Sequence, residues 1–295
     1  MSLLDQLTSS NRLLLNVELC PPRIDLPLEE SVDAWIDSNR LIRKITSLER
    51  FVFMTDGAIG KREEPNLRHV TLNLGPETDR ARIVPILTTK HSLEYCLEFA
   101  ERSFELGFKS LVVLGGDKSD AVPRCVEHAH QLRTLIRKST PGLTLGAWTN
   151  PHGGRRQIEY MLDDGYSADF YLGQIVSHYQ THGLDEFLNA AEKLGLRIPG
   201  IFGVFYYRSA NAKTLNLLSQ FFPVPVDDLK RGFASGLTSE DMSAQSILAL
   251  LKRGVFNVYL SNLPMATGGQ KLANIEKRIR ESEDRSQNEA TSSQF

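Results

Sequence analysis

Eight short apolar runs in this chain of 295 residues each end at a side chain or turn able to do chemistry. Glu18 stands just before Pro21-Pro22, Thr55 and Asp56 precede Gly57, Thr88 closes a third run, and Asp117 follows Gly115 and Gly116. Trp148 with His152, Gln174, Tyr206 or Tyr207, and Tyr259 with Asn262 end the later ones. Two carboxylates, an amide, an imidazole and several rings suit a flat, heteroaromatic, hydrogen-bonding ligand. Aromatic rings stack on its faces, Gln174 reads a donor and acceptor edge, and a carboxylate complements or transfers a proton on a ring nitrogen. A metal centre would want more His and acid ligands at coordination spacing, so no metal ligands are expected.

Glu18 and Asp117 are the candidate catalytic acids. Structural alternatives stand beside each residue. Gly-Gly-Asp also makes an ordinary turn, and an acid there caps the following helix. Glu18 is equally suited to pairing with an interior Arg or Lys, Gln174 to satisfying loop backbone, and Trp148 to filling a core. The set, taken together, favours a site.

Other chemistries lack their signatures. There is no GxGxxG or Walker phosphate loop, and Gly153-Gly154 and Gly268-Gly269 read as turns. No Ser stands in a GxSxG elbow, and Cys20 beside its two prolines has no activating base in sequence. His128 and His130, two apart on a predicted helix, are expected to point different ways from its surface.

The candidates converge only if the strands end on one rim. Runs at 13–20, 50–55, 83–88, 111–114, 143–148, 169–174, 198–204 and 255–260 read as strands. Helical periodicity covers 29–47, 92–106, 124–138, 154–164, 184–194, 210–220, a stretch from Thr238, and 271–280. A proline pair cannot continue a ladder, which places Glu18 near the end of its strand. Gly107 and Gly195 stop helices, and Thr238 with Asp241 three residues on is a helix start. The seventh run carries Pro199 and two glycines, which a central strand usually avoids. An excursion with Pro223 and Pro225 separates two late helices, and the first ten residues form a short helix or arm.

This alternation predicts an α/β fold, a single (β/α)8 TIM barrel over residues 1–280, with a doubly wound open sheet as the alternative. Residues 281–295 are polar and poor in apolar side chains, and are expected to be a disordered tail. No repeat or linker divides the chain.

Composition is that of an ordinary globular protein, 41% hydrophobic and 24% charged, with a formal net charge of -2. Such a balance, without basic blocks, gives no footprint for nucleic acid or an acidic membrane surface. The 3 cysteines are far apart and show no metal or disulfide spacing, which predicts a reducing compartment. No leader pattern and no apolar run of spanning length are present, so a cytoplasmic protein is expected. Oligomeric state is not legible.

The ordered series of motifs resembles the methylenetetrahydrofolate reductase family over roughly residues 13 to 265. Val17-Glu18 leading to Pro21-Pro22 is similar to the family's opening Phe-Glu-Phe-Phe-Pro-Pro strand. Thr55-Asp56-Gly57-Ala58 resembles its Thr-Tyr-Gly-Ala turn, and Gly116-Asp117 its Gly-Asp strand end. Ala147-Trp148 with Pro151-His152 is similar to its Ala-Tyr and His. Gln174, Ile198-Pro199-Gly200-Ile201, and Tyr259 with Asn262 follow in family order.

The resemblance implies reduction of 5,10-methylenetetrahydrofolate to 5-methyltetrahydrofolate with NAD(P)H, within one-carbon metabolism and methionine biosynthesis. Glu18 would be the acid that protonates the folate as its methylene bridge opens, and Asp117 would face the pterin. Gln174 would hold the pterin edge, Tyr207 stands where the family has a mobile Phe, and Tyr259 and Asn262 join the substrate side. Thr55, Asp56, Gly116, Trp148 and His152 fall on the cofactor side. In most members FAD relays the hydride. Here Ile86 replaces a His, Gly115 an Arg and Leu263 a later Arg, and the flavin-contacting helix after the fifth strand is shortened. This pattern resembles the flavin-independent branch. The rival readings are a non-catalytic folate-binding or partner subunit, and a pterin methyltransferase on the same barrel.

Overall fold

The computed structural model describes residues 1–9, 11–22, 25–55, 64–116 and 123–292. Eight strands, β1 (Leu14–Leu19), β2 (Val52–Met54), β3 (Ile83–Thr88), β4 (Ser110–Leu114), β5 (Thr144–Thr149), β6 (Phe170–Ile175), β7 (Gly200–Phe205) and β8 (Asn257–Ser261), close in sequence order into a barrel. Every neighbouring pair is parallel, and β8 pairs back onto β1 with Val17 opposite Leu260. The open-sheet alternative is thereby excluded.

The helices are α1 (Leu3–Ser9), α2 (Leu28–Ser47), α3 (Glu64–Asn73), α4 (Leu93–Glu105), α5 (Ala129–Ser139), α6 (Gly154–Met161), α7 (His182–Leu194), α8 (Ala212–Leu218), α9 (Val226–Ala234), α10 (Ser239–Leu251) and α11 (Gly268–Ser292). None that is described is long and apolar enough to cross a membrane.

Alternation along each strand divides the apolar residues into two layers. Leu15, Val17 and Leu19 pack outward with the helices, as do Leu111, Val113, Leu145 and Ala147. Phe51, Phe53, Val84, Ile86, Val112, Phe170, Leu172, Ile201 and Tyr259 fill the barrel. Leu3 and Leu7 of α1 join that inner set, and Asn257 Nδ2 donates to the Leu7 carbonyl at 3.1 Å. The short helix expected at the N-terminus is therefore a plug in the N-terminal mouth. Ligand access is left to the opposite rim.

Local signals act as their chemistry requires. Thr238 caps α10 by accepting from Asp241 N at 3.2 Å, while Asp241 Oδ2 accepts from Thr238 N at 2.8 Å. The seventh strand begins after Pro199, which spends no ladder donor; its carbonyl still accepts from Tyr171 N at 3.0 Å.

Four elements differ from expectation. Helix α3 was not foreseen in the polar stretch after β2. The proline-bearing excursion contains α9, started by Pro225 and by Asp227 and Asp228 in its first turn, where acids favour a helix N-terminus. Helix α5 begins at Ala129, later than 124, because residues before it bend back to β3: Cys125 N donates to Thr89 O at 2.8 Å. His128 thus lies outside the helix, and its ring stacks on that of His130 at 5.4 Å instead of diverging. Finally, α11 runs on through Ser292, past the boundary expected at 280. Glu, Arg, Gln and Ala in that stretch read as disorder by polarity but are sound helix formers.

Candidate functional site

Glu18 is set by β1 alternation. With Leu15, Val17 and Leu19 turned outward, Leu14, Asn16 and Glu18 face the barrel interior, and Glu18 stands one residue from the C-terminal end of the strand. Its neighbours in register are Phe53 on β2 and, next to the Val17–Leu260 pair, Ser261 on β8. Burial pushes the Glu18 carboxyl above its ordinary value, opposed by a hydrogen bond with the Ser261 hydroxyl. Tyr259 lies below; its phenol is pushed well up, first by burial and then by the nearby Glu18 charge. Tyr259 donates to the Gly173 carbonyl at 2.9 Å, and a Cβ on Gly203 would meet that hydroxyl at 2.5 Å. Only glycine at position 203 lets this ring cross the barrel. The result is a carboxyl on an apolar floor, protonated at higher pH than a free one.

A second feature opens over the ends of β4, β5 and β6. A cavity of about 300 Å³ is lined by Gly115, Gly116, Arg133, Trp148, Tyr160, Tyr166, Gln174 and Phe221, among others. Three sequence candidates, Gly116, Trp148 and Gln174, meet there. Trp148 is 40% exposed although it stands on a strand, so one indole face is free for a ring to stack on. Gly116 takes φ of 70°, a left-handed conformation that favours glycine, with the Lys90 side chain 2.5 Å from where a Cβ would sit. Gln174 is already engaged: Oε1 accepts from Ile175 N at 2.9 Å and Nε2 donates to Phe221 O at 3.3 Å.

The other candidates hold the frame. Thr55 N donates to Leu19 O at 3.1 Å across the β1 and β2 ends. His152 Nε2 lies 2.9 Å from Ile175 O and ties the turn after β5 to β6. Asn262 adopts φ of 67° and donates from Nδ2 to Tyr206 O at 3.0 Å. Tyr207 is outside the cavity lining, 6% exposed, in a satellite core of Leu215, Leu229 and Met242 beneath α8, α9 and α10. It is Phe205, two residues earlier, that joins the barrel-interior set, its ring 5.3 Å from Phe222. Asp56 and Asp117 lie outside the described residues.

Sequence reasoning missed Ser261, Arg133, Tyr166 and Phe221. Ser261 was recoverable from β8 alternation, since Tyr259 and Ser261 must share a face. Arg133 and Tyr166 sit on a helix and a loop, whose placement over β4 depends on the closed barrel. Among the described residues no group of three or more His, Cys, Asp or Glu side chains is placed to hold a metal ion.

No protein-family model matches the chain, and no curated protein matches it. Among solved structures it is similar to an uncharacterized protein from Clostridium thermocellum that binds two copies of 5-methyl-5,6,7,8-tetrahydrofolic acid, with a TM-score of 0.65 and 13% identity over 94% of this chain and 98% of that one. It is also similar to an F420-dependent secondary alcohol dehydrogenase in complex with an F420-acetone adduct (TM-score 0.53, 10% identity, 91% and 99% of the two chains). An N-acetylneuraminate lyase from Mycoplasma synoviae matches at a TM-score of 0.51 and 9% identity over 96% and 78%. Likeness at such identities is likeness of fold: this chain is a (β/α)8 barrel.

Proposed function

We propose that the protein binds a reduced folate at the C-terminal mouth of its barrel and reduces 5,10-methylenetetrahydrofolate to 5-methyltetrahydrofolate with NAD(P)H. The observation that carries this reading is Glu18, an acid facing the barrel interior near the C-terminal end of β1 beside Phe53 and Ser261, where burial pushes its carboxyl above the ordinary value. The motif series supports it, and so does the folate bound by the Clostridium thermocellum barrel of similar fold.

Glu18 donates its proton to N10 of the folate as the bond from the methylene carbon to N10 breaks, leaving a cationic iminium at N5. The resulting carboxylate sits near that cation in a site walled by Phe53 and Tyr259, where charge stabilisation is strong. Hydride from the nicotinamide then reaches the methylene carbon and completes the methyl group. Trp148 offers a stacking face, and Gln174 reads the pterin edge after exchanging its bond to the Phe221 carbonyl. The residues that depart from the flavin-binding pattern, Ile86 and Gly115 among them, weigh against a flavin. Ile86, where the family has a His, presents hydrocarbon to the interior. Direct transfer from the nicotinamide is therefore the reading adopted.

Incubating the protein with methylenetetrahydrofolate and either NADH or NADPH, with and without FAD, tests this. Nicotinamide oxidation that depends on the folate is expected without FAD, and a yellow protein carrying flavin as purified would contradict the direct route. One observation favours a second reading, folate binding without turnover: both amide groups of Gln174 are occupied by the chain itself. Folate binding with no nicotinamide oxidation under any condition would support it.

A further inference from the structure

Arg133 is 2% exposed on α5, yet no carboxylate among the described residues pairs with it. Its guanidinium donates from Nε and Nη2 to Tyr166 O at 3.2 and 2.7 Å, and from Nη1 to Val113 O at 3.2 Å. Tyr160 also hydrogen-bonds it, so the partners of this buried cation among the described residues are all neutral, which is costly unless something else compensates the charge. Beside it the Tyr166 ring lies 5.1 Å from Arg133 Cζ, and the Tyr166 hydroxyl is buried with no hydrogen-bond partner. Both side chains line the cavity over β4 to β6.

A second guanidinium adjoins Gly115 and Gly116, two residues of that lining. Arg124 donates from Nη2 to Gly116 O at 2.9 Å, and its Nη1 lies 3.5 Å from where a Cβ on Gly115 would stand. It too makes no ion pair with a described residue. Tyr160, 42% exposed and edge-on to Tyr166 at 5.5 Å, forms the outer lip. Two guanidiniums with no carboxylate partner among the described residues, one in the cavity lining and one beside it, together with a phenol hydroxyl lacking a partner, are the donor set of an oxyanion receptor.

We propose that this cavity is a subsite for an oxyanion group of a bound ligand, carboxylate or phosphate, held by Arg124, Arg133 and Tyr166. Naming the ligand rests on the folate reading above, and two sources fit: a carboxylate of the folate glutamate tail, or a phosphate of the dinucleotide. Trp148 and Gln174, in the same lining, would then orient the ring system from which that group extends.

Calorimetric titration of the full chain with inorganic phosphate, 5-methyltetrahydrofolate, 6-methyltetrahydropterin and NADPH decides it. Tyr166→Phe removes only a hydroxyl without a partner and Arg124 is on a loop, so Tyr166→Phe and Arg124→Gln are expected to fold as well as the wild type. Each should weaken phosphate binding about tenfold, the usual cost of one hydrogen bond involving an ion. Arg133→Gln should weaken it further.

If the folate tail is the source, 5-methyltetrahydrofolate loses the same factor while the pterin without a tail does not. If the dinucleotide is the source, NADPH loses it. Tyr166→Phe and Arg124→Gln binding all four ligands as tightly as wild type would overturn the subsite, whatever Arg133→Gln does. Wild-type protein that binds phosphate through these residues but neither folate nor NADPH would sink the folate reading and leave the subsite standing.

Discussion

A carboxyl is a better proton donor near neutral pH when its surroundings raise its pKa, and for Glu18 burial acts in that direction against the pull of Ser261. Glu18→Gln should therefore lower kcat by roughly 10²- to 10⁴-fold, the range for general acid catalysis, with folate affinity retained. The wild-type rate should fall on the alkaline side as Glu18 loses its proton, and that limb should vanish in the variant. Stability carries the same signature with a definite sign. Because the folded value is raised, the native state holds the proton more tightly than the unfolded chain, and stability drops as pH rises from the unfolded to the folded value. Glu18→Gln escapes that loss. Its melting temperature should exceed that of wild type at neutral pH, with the gap narrowing towards acid; a gap that widens on acidification would refute the assignment of burial as the cause. Glu18 was legible in sequence because Pro21-Pro22 marks where its strand must stop. Its partner Ser261 was not singled out, as a serine in an apolar run announces nothing until β1 and β8 are known to be neighbours.

At the scale of elements, the barrel is closed at one end by α1. Leu3 and Leu7 insert among Phe51, Phe170 and Ile201, so this helix contributes apolar burial that its seven residues would not retain alone in water. Leu7→Ala should cost about 2–5 kcal/mol, the range for truncating a buried Leu, read as a shift in the urea midpoint. Because the plug lies at the mouth opposite Glu18, folate affinity should be unchanged at temperatures where the variant is folded. Strand positions were readable from sequence because parallel barrel strands are short apolar runs bounded by turn residues. The α8 to α9 excursion was less so. Its prolines read as irregular chain, whereas Pro225 starts a helix that packs Leu229 over Tyr207. That packing is why Tyr207, matched by motif order to a mobile Phe, is instead buried, and why Phe205 and Phe222 stand nearer the mouth.

For the molecule as a whole, closure of eight strands in sequence order brings Glu18, Trp148 and Gln174, 156 residues apart from first to last, onto one rim. Alternation of strand and helix was enough to foresee that convergence. What it could not supply is which outer-shell side chains reach over the rim, and Arg133 and Tyr166 are of that kind. The account's central claim is hydride delivery from a nicotinamide to a folate methylene carbon. It is tested most directly with NAD(P)H carrying deuterium at both C4 positions, incubated with methylenetetrahydrofolate and the protein without FAD. Mass spectrometry of the product should show one deuterium in each methyl group of 5-methyltetrahydrofolate, and almost none formed by Glu18→Gln. A methyl product without deuterium would contradict direct transfer, and no methyl product from the folded wild-type protein would contradict the reaction itself.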